Sequence, residues 1–86
     1  MLGDQLTIPR FGSCRFSDED FDPLLVRICK RIEVLLHGQP VQQVIAYNCE
    51  QGWVRAHKVH ANGSTVVENG IAAEHILHGS VAVRWR

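Results

Sequence analysis

Apolar and polar positions alternate with a period of two along much of this chain, and turn residues interrupt the alternation at short intervals. The densest stretch is Ile32-Glu-Val-Leu-Leu-His-Gly-Gln-Pro-Val-Gln-Gln-Val-Ile-Ala-Tyr-Asn-Cys-Glu-Gln-Gly-Trp-Val-Arg55. It predicts strand, tight turn, strand, tight turn, strand. Its first strand starts at about Lys30: Val26, Ile28, Ile32, Val34 and Leu36 alternate with Arg27, Arg31 and Glu33, broken only by Lys30. His37-Gly-Gln-Pro40 is a turn, and Val41–Tyr47 is the second strand, with Val41, Ile45 and Tyr47 on one parity. Asn48–Gly52 turns the chain into a third strand, Trp53–Val59. There Trp53, Arg55, His57 and Val59 face one way and Val54, Ala56 and Lys58 the other, a mixed pattern expected near a sheet edge.

Beyond that block, Asn62-Gly63 is a strong hairpin signal, because a type I′ turn needs φ > 0 at both central residues. Thr65–Val67 is a short strand and Glu68-Asn-Gly70 a further turn. Residues 71–78 fit a helical turn or an irregular strand. Ser80–Arg86 closes the chain as a strand, with Val81, Val83 and Trp85 on one face and Ala82 and Arg84 on the other.

The N-terminal third is less regular. Residues 1–16 fit a short edge strand, an extended arm or a frayed tail, since Pro9 cannot donate to a ladder. Phe11 and Phe16 are the side chains that would pin such an arm. Residues 17–29 carry two templates. Ser17 with Asp20 resembles a weak capping pair, and Asp22-Pro23 suits an N-cap followed by the first helical position. A helix from there would align Leu25, Ile28, Cys29, Ile32, Leu35 and Leu36, with Gly38 past its end. Ile and Val favour a strand from about Lys30, so a helix stays the alternative for residues 18–29. The expected fold is mainly β (or α+β): a small antiparallel sheet or partly open barrel of four to six strands in one domain, residues 1–86. An N-terminal arm completes it, with one short helix near residues 17–29 as the alternative for that segment.

The chain's 86 residues contain 45% hydrophobic positions, enough for one core, and nine acids balance nine bases. Zero net charge argues against a nucleic-acid binder that works through a broad basic field, and it lowers the repulsion between copies. Cys14, Cys29 and Cys49 are odd in number and widely spaced, which predicts reduced thiols rather than a disulfide scaffold. No apolar run approaches the roughly 20 residues of a membrane span, and the first residues do not read as a secretory signal. The expected location is therefore the cytoplasm.

Candidate chemistry is sparse. His57-Lys-Val-His60 and His75-Ile-Leu-His78 are His-x-x-His pairs. Such a pair chelates a metal together on a helix, where i and i+3 share a face, but not on a strand. That makes His57, His60, His75 and His78 the metal candidates, with packed or solvated surface histidines the simpler reading. Cys49 lies beside Glu50, which raises a thiol pKa, so a nucleophilic cysteine is not expected. Asp18-Glu-Asp20 with Asp22 lacks the glycine and distal glutamate of a calcium loop, and no glycine-rich phosphate motif occurs. Arg27, Lys30 and Arg31, with Arg84-Trp85-Arg86, are the groups a single-stranded nucleic acid would use. Trp53, Arg55, Arg84 and Trp85 are the candidate interaction residues.

The block from Arg31 to Arg55, with Gly79-Ser-Val-Ala-Val83, resembles small uncharacterised proteins of tailed bacteriophages and prophages. Gly52-Trp-Val-Arg55 is also similar to a family of small bacterial proteins with a Gly-Trp-Val-Arg core. The phage resemblance implies an accessory or morphogenetic role without catalysis, in the cytoplasm or associated with a virion. The expected function is a non-enzymatic interaction or structural protein without a cofactor. It would meet a protein partner or a second copy through a sheet edge or aromatic patch, with no membrane involved. The alternatives are a nucleic-acid-binding β module and a histidine-based metal-binding protein.

Overall fold

A computed structural model describes residues 7–86. The alternation seen in the sequence becomes nine strands: β1 (Phe11–Ser13), β2 (Ile32–Leu36), β3 (Gln39–Pro40), β4 (Val44–Asn48), β5 (Trp53–His57), β6 (Val67–Glu68), β7 (Ile71–Ala72), β8 (Glu74–His78) and β9 (Val81–Trp85). One short helix, α1 (Pro23–Ile28), lies between β1 and β2. The protein is mainly β, as expected, and no barrel closes among the described residues. Rather than running through one sheet, the strands divide into a four-stranded sheet ordered β1-β4-β5-β8, a three-stranded sheet ordered β3-β2-β9, and the hairpin β6-β7. All strand pairs within these sheets are antiparallel.

The two main sheets and α1 share one core. Leu25 and Ile28 enter it from the helix, Ile32 and Val34 from β2, Tyr47 from β4, Val54 from β5 and Val81 from β9. Full burial of a side chain such as Leu25 contributes roughly 2 kcal/mol. The helix begins where the sequence signals it: Asp22 is the N-cap, its side chain accepts the Leu24 N–H at 2.9 Å, and Pro23 follows. It stops at Ile28, well short of the longer helical template. From Ile32 onward β2 pairs with β9 over its whole length, and β-branched residues settle into that ladder.

Residues 71–78 resolve as strands β7 and β8. β5 is not an edge strand: it lies between β4 and β8, with Val54 and Ala56 fully buried. On its outward face Arg55 pairs with Asp18, from a loop that crosses that face. The second strand starts at Val44 rather than Val41. A bulge at Ile45 shifts the ladder between Val44 and Ala46, so Ile45, Ala46 and Tyr47 are all buried despite their sequential positions.

The two Asn-Gly pairs close different turns. At Asn62-Gly63 only the glycine has positive φ. Its N–H donates to the His60 carbonyl and the His60 N–H to the Ser64 carbonyl, the pattern of a type I turn with a glycine bulge. The type I′ geometry instead occurs at Asn69-Gly70, with φ of 53° and 77°, and closes β6-β7.

The N-terminal arm is anchored differently from the sequence expectation. The part of it before residue 7 lies outside the described residues. Phe11 and Phe16 are both exposed and do not pin it. It is held by the pairing of β1 with β4, by the Tyr47 hydroxyl donating to the Pro9 carbonyl at 2.5 Å, and by the Cys49 N–H donating to Arg10.

Candidate functional site

A segment from Cys14 to Asp22 crosses the outer face of the larger sheet like a strap. Beneath it, Ser13 and Ala46 are wholly shielded from solvent. The Ser13 hydroxyl donates to Asp18 Oδ2 at 2.6 Å and accepts the Arg15 N–H at 3.0 Å. The same Asp18 oxygen takes the Arg55 guanidinium from β5, and Arg15 reaches across to Glu74 on β8. Its hydrogen bond and charge hold the Glu74 carboxyl below the usual carboxylate range, and the pair raises the Arg15 guanidinium in turn. Arg55 Nε is buried without a hydrogen-bond partner among the described residues. Two strands, β5 and β8, are thus tied to one loop by ion pairs, and β1 by the Ser13 hydrogen bond.

The four candidate interaction residues do not form one surface. Trp53 and Arg55 share the outer face of the larger sheet, bordering a shallow hollow with Asp18, Glu19 and Asp20. The Trp53 indole N–H donates to Gln51 at 3.0 Å. Arg84 and Trp85 belong to the other sheet, where Arg84 pairs with Glu33 at 2.8 Å and Trp85 packs against the core. An aromatic pair falls elsewhere: the exposed Phe16 stacks edge-to-face on the half-buried Phe21, with centroids 5.3 Å apart.

The histidines also separate. His75 and His78 lie on β8, a strand, so they point to opposite faces and cannot chelate together. His57 ends β5, with its Nδ1 buried and unpartnered, while His60 sits in the following turn. Among the described residues no group of three or more His, Cys, Asp or Glu side chains is placed to hold a metal. No helix there is long and apolar enough to cross a membrane.

A cleft of about 220 Å³ is lined by Cys14, Cys29, Val34 and Tyr47, together with Lys30 and Arg86. Burial, then the neighbouring Cys29 thiol and Asp22, push the Cys14 thiol up to about 11. Burial likewise raises Cys49, with Arg10 opposing and Glu50 adding to it. These thiols stay protonated near neutral pH, and no imidazole lines the cleft, so the arrangement does not activate a nucleophile.

A further feature emerges at the edge of the larger sheet. Lys58 N–H donates to the Ala73 carbonyl and Gly79 N–H to the Gly52 carbonyl, which sets the phase of the β5-β8 ladder. Residues 75, 77 and 79 therefore turn their backbone groups toward β5, Ala73 accepts from Lys58 and donates its N–H to the Val66 carbonyl, and Glu74, Ile76 and His78 turn theirs outward. No strand among the described residues pairs with that side of β8. The side chains of Glu74, Ile76 and His78 are exposed, Ile76 by 52%. Sequence reading missed this edge because it left residues 71–78 between helix and strand. The available signal was Ile76 flanked on its own parity by Glu74 and His78.

No family model, curated protein or solved structure matches this chain.

Proposed function

We propose that this protein works without catalysis, as an interaction or structural protein that adds an extended strand of a protein partner to the outer edge of β8. The observation that carries this reading is the row of outward backbone groups at Glu74, Ile76 and His78, which no described strand pairs. Such an edge is a template for strand addition: main-chain bonds supply affinity and alternate side chains supply selectivity. Balanced charge supports the same reading, since it opposes no particular partner by long-range repulsion. The likeness of residues 31–55 to small phage and prophage proteins fits an accessory role of this kind, in the cytoplasm or on a virion.

Photo-cross-linking tests it. A benzophenone amino acid at His78 should give a protein adduct in cell lysate, whereas the same group at Glu19, on the strap, should not. Absence of any adduct from position 78, in protein shown to be folded by circular dichroism, would overturn the proposal.

A further inference from the structure

We infer that the strand added to β8 is β8 of a second copy of this chain, paired antiparallel about a two-fold axis at Ile76. This rests on the edge reading above and names its partner. Outward backbone groups occur at alternate residues, so only registers that match 74, 76 and 78 among themselves form a ladder. Centring the pair on Ile76 uses all three positions: Glu74 meets the second copy's His78, Ile76 meets its counterpart, and His78 meets Glu74. Each of these pairs exchanges two N–H···O=C bonds.

The side chains agree with that register. On the outer face, the exposed Ile76 covers its symmetry mate. An imidazole stands opposite a carboxylate on each side of it. Arg15 occupies only Oε2 of Glu74, which leaves Oε1 to accept from the second copy's His78. Sliding the register to centre on Glu74 would set two carboxylates face to face. Centring it on His78 would set two imidazoles opposite each other and leave Glu74 unpaired. Of the registers centred on an outward residue, only the one at Ile76 is thus complementary to itself.

The geometry also closes the assembly. The opposite edge of the larger sheet is capped at Ser13, whose N–H donates to Asp20 and whose carbonyl accepts from the Asp22 N–H, both at 3.1 Å, which leaves Phe11 as the one outward residue of β1 without such a partner among the described residues. The β9 edge of the smaller sheet suits self-pairing less well. Antiparallel pairing about Val83 would bring the two Arg84 side chains to diagonal positions. Isologous pairing uses the β8 edge of both copies, so this contact closes as a dimer rather than extending as a fibre. The product is a continuous eight-stranded sheet with β8 and its mate at the centre.

Light scattering on the full chain, read across concentration, tests the dimer. The mass should rise from 9.7 kDa toward twice that value. Ile76→Lys and Ile76→Pro should both remain monomeric at every concentration. The proline removes an outward N–H that β5 does not use. Ile76→Cys, oxidised gently, should yield a 76–76 disulfide identified by peptide mapping, since residues directly opposite in such a pair sit at about 5.5 Å. A wild-type protein that stays monomeric while position 78 cross-links to a different protein overturns the self-pairing but leaves the edge reading standing. A dimer that persists in folded Ile76→Lys and Ile76→Pro protein overturns it as well. Should both variants fail to fold, the Ile76→Cys linkage decides alone: no 76–76 bond means no such pairing.

Discussion

The residue with the most consequences in this molecule is Asp18. It accepts from Ser13, pairs with Arg55, and so fixes the strap over the larger sheet. Both partners of the ion pair are mostly shielded from water, with side-chain exposures of 16% and 27%. Removing the carboxylate would leave Arg55 charged and half-sequestered, with its Nε already lacking a partner. Asp18→Ala should therefore cost about 2–3 kcal/mol, and Ser13→Ala about 1 kcal/mol. Urea unfolding followed by fluorescence measures both, and equal midpoints for Asp18→Ala and wild type would refute the assignment. None of this was legible from Asp18-Glu-Asp20, which reads as a solvated acidic run. Nothing local distinguishes an aspartate that meets an arginine 37 residues away from one that meets water.

At the scale of elements, local chemistry was legible where one or two residues dictate backbone geometry. Asp22-Pro23 starts the helix, and the turn at His37-Gly38 joins β2 to β3, both from short-range signals. Where two neighbours compete, short-range reading failed. Of the two Asn-Gly pairs, Asn69-Gly70 rather than Asn62-Gly63 has positive φ at both residues, because Ser64 donates its N–H and hydroxyl to the Asn62 side chain and draws that loop into another shape. The bulge at Ile45 escaped notice because it changes parity within a strand, and parity is what the reading relied on.

The turns also hold elements together. Gly52, at φ +78°, sits where an added Cβ would lie 2.7 Å from the Gly79 carbonyl oxygen. The two residues also share the hydrogen bond that closes the end of the β5-β8 ladder. Gly52→Ala should therefore destabilise by about 2 kcal/mol or more, from left-handed strain plus contact. Amide exchange near His78 should accelerate with it. Unchanged exchange there would show that the two turns are not coupled.

For the whole molecule, the Arg15–Glu74 bond ties the strap to the edge strand, and its pH dependence has a definite sign. The Glu74 carboxyl titrates below its ordinary value of 4.5. Its contribution is thus complete above that value and disappears as pH falls through the lowered folded pKa. Between about pH 5 and pH 3, wild-type melting temperature should fall more steeply than that of Glu74→Gln. Parallel curves would mean that the bond contributes nothing in solution.

By itself, the order of residues determined the mainly β class and the short helix start. Each follows from neighbours within a few positions, where sterics and alternation act. The sheet to which each strand belongs, the central place of β5, the strap, and the free edge of β8 were decided only by tertiary structure. These depend on which distant segments exclude water from one another, and a strand's pattern is the same whether its edge is paired, capped or open.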